Sequence, residues 1–271
     1  MGKTRINKYL ISKLPNQQGR IEANFRFLSL NGMLTLYKKI AKKALEESWT
    51  PFELIEHLQL AELNWAETNR TERWIKQAHF DSPKTLEEFD FSFPKKINKT
   101  LIFELASCRF IENAENIIFL GQTGVGKTHL AQSLGLKAIY NGFDVRFLTL
   151  RSLHELIDKV RDSKYELRKL LTNLAKPKLL ILDEVALFQP DEILAEFLSE
   201  LLLNRHLKNS TIFTSNKSFS QWTNAFGDKH SSTMIIDRIN QKAHPVLIEG
   251  DSYRIKDRLG KTGQSTQIFP L

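Results

Sequence analysis

The octapeptide GQTGVGKT, residues 121–128, combines three glycines with a terminal lysine and threonine, the residue types that hold a phosphate chain. It satisfies G-x-x-x-x-G-K-[ST] and stands between an apolar run and a helical pattern, the context in which such a loop works. Gly121, Gly124 and Gly126 let the backbone turn so that successive N–H groups face phosphate oxygens at a helix N-terminus. Gln122, Thr123 and Val125 complete the loop, and His129 follows it as a residue suited to helix packing. Lys127 is expected to reach the β- and γ-phosphates of a bound nucleotide, and Thr128 to offer its hydroxyl to Mg2+.

A second candidate group ends LLILDE, residues 179–184. The apolar residues bury a strand and deliver Asp183 and Glu184 at its C-terminal end, the edge where open α/β sheets bind ligands. Asp183 would hold Mg2+, and Glu184 would orient and deprotonate an attacking water. Solubilising loop charges would look the same in isolation; the phosphate loop upstream favours the catalytic reading. A third strand, STIFTSN, ends in Ser215 and Asn216. If the sheet order brings it between the first two, Asn216 could hold the lytic water or the γ-phosphate; an ordinary strand-to-turn transition would leave the same residues.

These groups need a scaffold, and the pattern from Asn98 onward supplies one. The segments ENIIFLG, DVRFLTL, PKLLILDE, STIFTSN and PVLIEG read as short buried strands. Helical stretches separate them, which implies a mainly parallel sheet covered on both faces. SLHELIDKV reads as a helix with Ser152 and Glu155 as its capping box. Upstream, apolar residues recur at helical spacing from Glu22 to Ala78, and TPFE places Thr50, Pro51 and Glu53 as a helix start. Between the halves, Phe89, Phe91 and Phe93 at every second position suggest an extended linker with its aromatics on one side. The expected division is a basic tail (1–20), a small all-helical N-terminal domain (21–79), a linker (80–97) and an α/β nucleotide-binding domain (98–271).

Composition narrows the setting. Hydrophobic residues are 41% of 271, with no apolar run long enough for a membrane span and no secretory signal, so the cytoplasm is the expected compartment. The single cysteine, Cys108, excludes an internal disulfide and any multi-cysteine metal site, and reads as a core residue on a helix. Lysine and arginine total 39 against 31 acids, a net charge of +8 that suits a polyanionic partner. Lys3, Arg5, Lys8, Lys13 and Arg20 lie in the first twenty residues with no acid, as a solvated tail or a phosphate-contacting arm.

Taken with SPKTLEEFDFSF, STIFTSNKSFSQW, IIDRI and GDSYRIK in that order, the chain resembles the IstB family of transposition helper ATPases over roughly residues 25–258. It is more distantly similar to DnaC-type helicase loaders, both within the AAA+ class of P-loop ATPases. The resemblance implies an ATPase that assembles as a homo-oligomer on double-stranded DNA in its ATP form and works with a transposase, hydrolysis driving disassembly. It implies Lys127 and Thr128 as Walker A, Asp183 and Glu184 as Walker B and Asn216 as sensor 1. Arg238 in DRI matches the arginine finger, supplied to a neighbour, and Arg254 in DSYR the sensor 2 arginine. The linker phenylalanines match a segment near the adenine end of the nucleotide. Few residues follow IIDRI, which fits the reduced lid of this group and leaves Arg254 just after a strand.

Lys159, Arg161, Lys164, Arg168 and Lys169 form a basic cluster with Asp158, Asp162 and Glu166 interspersed. In similar initiator and loader ATPases this region lines the DNA channel, whereas a solvated helical face would carry the same charges. Lys95, Lys96 and Lys99 form a second group. Two further readings stay open: a replicative helicase loader, and a nucleotide-gated DNA-binding scaffold with negligible turnover. Intact Asp183, Glu184 and Arg238 argue against the scaffold.

Overall fold

The computed structural model describes residues 16–185, 190–222 and 229–253. The chain divides between Arg73 and Trp74 into two compact units. The first contains α1 (Gln17–Phe27), α2 (Asn31–Glu46) and most of α3 (Pro51–Ala78). Thr50 and Glu53 start α3 as their spacing implies. The Glu53 N–H donates to the Thr50 hydroxyl at 3.3 Å and the Glu53 carboxylate accepts from the Thr50 N–H at 2.6 Å. Gly32 lets α2 lie close to α3, since a Cβ there would stand 2.4 Å from the Ala61 carbonyl oxygen. Glu22 joins α1 to α2 by accepting from the Tyr37 hydroxyl at 2.6 Å and pairing with Lys38 at 2.9 Å.

The second unit opens with α4 (Lys99–Leu105) and α5 (Arg109–Glu112), then alternates strand and helix. In chain order it runs β1 (Asn116–Gly121), α6 (Lys127–Tyr140), β2 (Val145–Thr149), α7 (Leu150–Asp158), α8 (Lys164–Ala175) and β3 (Leu179–Asp183). It continues with α9 (Glu192–Arg205), β4 (Ser210–Ser215), α10 (Phe219–Trp222), α11 (Lys229–Gln241) and β5 (Ala243–Ile248). The strands pair in parallel in the order β2-β3-β4-β1-β5.

Alternate strand residues feed opposite faces. Ile117, Phe119, Ile181 and Ile212 pack with Leu130, Leu134 and Ala138 of α6. Ile118, Leu180, Leu182 and Phe213 pack with residues of α7, α9 and α11, among them Leu153, Leu198 and Ile235. Both faces are covered, as a wholly parallel sheet requires. Cys108 lies in the first of these layers, not on a helix as expected but at φ of 63° between α4 and α5, and burial pushes its thiol up to about 11. No helix among the described residues is long and apolar enough to cross a membrane.

Arg205, at the end of α9, is buried, and no ion pair within 4 Å joins it to a described carboxylate. Its guanidinium donates to the carbonyls of Leu174, Ala175, Pro177 and Ser210 and to the Thr211 hydroxyl. The first two carbonyls belong to the last turn of α8, where helical partners run out and the negative end of the helix dipole lies. Burial lowers the guanidinium pKa, against the opposing effect of the Asp144 charge, and an arginine stays charged even so.

Two further sequence expectations need correction. α7 is capped by Thr149 and Ser152, not by Ser152 and Glu155: the Ser152 N–H donates to the Thr149 hydroxyl at 3.0 Å and the Ser152 hydroxyl receives the Thr149 N–H at 3.0 Å. The helix starts directly where β2 ends, so the strand's last residue is the cap. The phenylalanine segment is not extended but folds into successive turns, with the Phe89 N–H bonded to Leu86 and that of Phe93 to Asp90. The Asp90 carboxylate stabilises the second turn by accepting from the Ser92 N–H at 3.0 Å, a competition that an alternation argument does not see.

Candidate active site

β1 delivers the phosphate loop, and α6 begins at Lys127, so the loop's N–H groups sit at a helix N-terminus. Gly124 and Gly126 have φ of +86° and +99°, and each is also crowded. A Cβ at Gly124 would lie 2.2 Å from the Ser252 hydroxyl oxygen, and one at Gly126 would lie 2.5 Å from Cε2 of Phe89. Glycine is required on both counts. Val125 is buried and anchors the turn. Lys127 Nζ donates to the carbonyls of Gly121 and Gln122, at 2.8 and 2.7 Å. The ammonium is thus held along its own loop, by acceptors that phosphate oxygens can replace.

Because β4 lies between β1 and β3, the ends of all three strands converge. The Thr128 hydroxyl stands 2.9 and 3.0 Å from the two Asp183 carboxylate oxygens. Burial raises the Asp183 pKa, against the opposing effect of hydrogen bonds from Thr214 and Thr128. A hydroxyl that gives its proton to Asp183 keeps its lone pairs for a cation, and this oxygen-only pair matches what Mg2+ selects. Glu184 follows with φ of 60°, its side chain exposed. Its N–H donates to the Thr214 hydroxyl at 2.9 Å, and the next N–H, of Val185, to the Thr214 carbonyl at 2.8 Å.

A cleft of roughly 700 Å3 opens over these groups, lined by Thr123 to His129, Glu184, Thr214 and Asn216. Its size falls within the usual range of small-molecule sites, roughly 300–1,000 Å3. Phe89, Phe93 and Pro94 of the turn segment line it from the other side. Phe91 instead stacks on Phe103, with ring centroids 5.5 Å apart. His129 is a packing residue that also lines the cleft: Nε2 bonds to the Thr85 carbonyl at 2.9 Å, the ring meets the edge of Phe89, and burial lowers its pKa.

Lys127, Thr128, Asp183, Glu184 and Asn216 are thereby brought to one cleft. Arg238 is not: it is exposed on α11 and lines a separate depression with Asn116, His206 and Asn209, at the edge of the sheet where β1 and β4 begin. Arg254 lies outside the described residues, as do Lys3, Arg5, Lys8 and Lys13. Thr214 was not singled out by sequence; its only signal was its place one residue inside the polar end of STIFTSN.

The five basic residues of the cluster between β2 and β3 separate into two kinds. Arg161 is held by Asp158 at 3.1 Å and Asp191 at 3.6 Å, and Lys169 by Glu166 at 3.3 Å. Lys159, Lys164 and Arg168 are exposed, and no ion pair joins them to another described residue. His154, Asp158 and Asp191 could together hold a cation, but the Arg161 guanidinium already sits among these carboxylates. In the second basic group, Lys95 pairs with Asp251 and Lys96 with Glu249, while Lys99 lies over the rings of Phe91 and Phe103.

The model of a family described as IstB-like ATP binding protein matches residues 23–261. The chain is 34% identical over 250 residues to the putative ATP-binding protein of insertion sequence IS232 from Bacillus thuringiensis subsp. berliner, covering 92% of this chain and 99% of that one. It is 36% identical over 222 residues to that of insertion sequence IS21 from Pseudomonas aeruginosa, covering 82% and 78%. Among solved structures it is similar to a DnaC helicase loader, with a TM-score of 0.51 at 19% identity over 65% of this chain and 99% of that one. It is also similar to the replication initiator DnaA bound to AMPPCP and single-stranded DNA, with a TM-score of 0.52 at 21% identity, over 68% and 57%. At such identities these structures report the shared AAA+ fold.

Proposed function

The chain belongs to the family of IstB-like ATP-binding proteins, and from that premise we propose that it is a helper ATPase of DNA transposition. It assembles on duplex DNA with ATP, acts with a transposase in choosing and using a target, and disassembles on hydrolysis, all in the cytoplasm. The insertion-sequence relatives, matched over nearly the whole chain, support this reading over that of a helicase loader. The observation that carries the assembly step is the exclusion of Arg238 from its own cleft while Lys127, Asp183, Glu184 and Asn216 meet there or line it.

Lys127 exchanges its loop carbonyls for β- and γ-phosphate oxygens. Thr128 and Asp183 would hold Mg2+, which when bound neutralises charge on those oxygens. Glu184 takes the proton of the attacking water, and Asn216 orients that water or the γ-phosphate. Arg238 of one subunit supplies positive charge to the γ-phosphate held by the next, so a lone subunit turns over poorly. Arg254 serves its own subunit. Residues 1–20 and the basic cluster between β2 and β3 contact DNA phosphates, residues 21–79 form the helical domain that meets the transposase, and 80–97 link it to the ATPase domain of 98–271.

Sedimentation of the Glu184→Gln chain with ATP and duplex DNA tests assembly, and a Glu184→Gln chain that stays monomeric refutes it. Preferential assembly on single strands would favour the loader instead. Mixing Arg238→Ala with Lys127→Ala chains, once shown to co-assemble, should restore hydrolysis that neither has alone. A silent mixture removes the trans assignment.

A further inference from the structure

We infer that Thr214 is a positioning residue of the ATPase site, one hydroxyl that sets both the Asp183 carboxylate and the backbone carrying Glu184. The inference rests on the ATPase reading and goes beyond it, because neither the phosphate loop nor the acidic pair nor Asn216 accounts for this residue.

A hydroxyl has one proton to give and lone pairs to receive. Thr214 gives its proton to Oδ1 of Asp183 and receives the N–H of Glu184 at 2.9 Å. The residue has no solvent exposure although it stands at the wall of the cleft, so in the intact chain both bonds are made within the protein. Its backbone adds a third tie, accepting the Val185 N–H at 2.8 Å. These ties flank Glu184, whose φ of 60° lies in the left-handed region that a side chain enters only when its surroundings hold it there. The β-branched side chain restricts rotation about χ1, and β4 sits between the strands that bear the phosphate loop and the acids. Thr214 also differs from Thr128 in place: Thr128 stands in the first turn of α6 behind the phosphate loop, whereas Thr214 stands on β4 in the middle of the sheet.

The consequence is a separation of roles. Loss of the hydroxyl leaves the phosphate loop and Lys127 intact, so nucleotide without Mg2+ binds as before. What is lost is the alignment of the acids, felt in the gain of affinity that Mg2+ brings and in turnover. The test compares Thr214→Ser with Thr214→Ala, which leave the same missing methyl and differ only in the hydroxyl, and adds the near-isosteric Thr214→Val. Each is measured in the full chain with duplex DNA, for melting temperature, affinity for a fluorescent ATP analogue with and without Mg2+, and kcat.

The Ala and Val chains should keep Mg2+-free affinity within about threefold, show a smaller Mg2+ increment, and lose kcat by about tenfold or more. The Ser chain should stay within about threefold of wild type throughout. Ser falling as far as Ala, or Ala keeping both kcat and the Mg2+ increment, overturns the inference, as does a parallel loss of Mg2+-free affinity. If Val does not fold, the Ser and Ala pair decides. Wild-type hydrolysis that Lys127→Ala does not abolish counts against the ATPase reading alone, and the Mg2+ increment then still decides the role of Thr214.

Discussion

Gly126→Ala probes the contact between the phosphate loop and the turn segment, and its cost can be worked from the geometry. Gly126 adopts φ of +99°, where an L side chain costs about 1–2 kcal/mol. The new methyl would stand 2.5 Å from Cε2 of Phe89. Carbon atoms rest comfortably at about 3.5–4.0 Å, so the ring must retreat by roughly 1 Å into a packed neighbourhood, at about 1–3 kcal/mol. Without nucleotide the loop can escape by rearranging; nucleotide demands the original turn, so the whole about 2–5 kcal/mol falls on binding. At about 1.4 kcal/mol per tenfold, ATP affinity should drop by about thirtyfold to several thousandfold. Adding Phe89→Ala to Gly126→Ala should recover the steric share and leave the backbone share, a coupling of about 1–3 kcal/mol. Titration of a fluorescent ATP analogue into the four chains of the cycle, each checked for its melting temperature, measures both numbers. A Gly126→Ala chain that binds within threefold of wild type refutes the reasoning, and a double variant no better than the single shows that Phe89 is not the obstacle.

Arg205→Met removes the donor that serves the α8 carbonyls and should cost about 3 kcal/mol or more in urea unfolding, because several buried acceptors lose their partner together; a loss under about 1 kcal/mol would show that other donors suffice. Glu22 is held down to about 2, first by the Tyr37 hydroxyl and then by Lys38, from an ordinary value of 4.5. Because its folded pKa is depressed, its contribution to stability is present above 4.5 and is lost as pH falls towards about 2. Glu22→Gln should therefore flatten the fall of melting temperature across that window, and an unchanged acid slope would contradict this. Replacing Lys159, Lys164 and Arg168 together by Ala should lower the slope of log affinity for duplex DNA against log salt by about 2–3, as read by fluorescence anisotropy. Arg161→Ala and Lys169→Ala should change it little, since acids already hold both. An unaltered slope in the triple variant would move the DNA contact elsewhere.

Much of the fold was readable because its signals are local. The apolar runs of β1 and β3 are unbroken by polar residues, and the capping pair Thr50 and Glu53 sits three residues apart on one chain segment. Where local signals compete, the reading was less sure. Ser152 resembled an N-cap, but β2 hands directly to α7 and Thr149 takes that place. Phe89, Phe91 and Phe93 alternate as a strand would, yet Asp90 bonds to the backbone of Ser92 and bends the chain into turns.

The sequence by itself determined the phosphate loop, the acidic pair and the strand-helix alternation, since each depends on neighbours along the chain. Its spacing of glycines already specified backbone angles that other residues resist. Tertiary structure alone decided that β4 stands between β1 and β3, which brings Thr214 within hydrogen-bond reach of both Asp183 and Glu184. It alone decided that Phe89 presses on Gly126, that Arg205 closes the end of a distant helix, and that Arg238 stands apart from its own cleft. The physical reason is common to all four: strand order and helix packing join residues far apart in sequence, and a hydrogen bond or a steric contact depends on distance in space, to which chain separation contributes nothing.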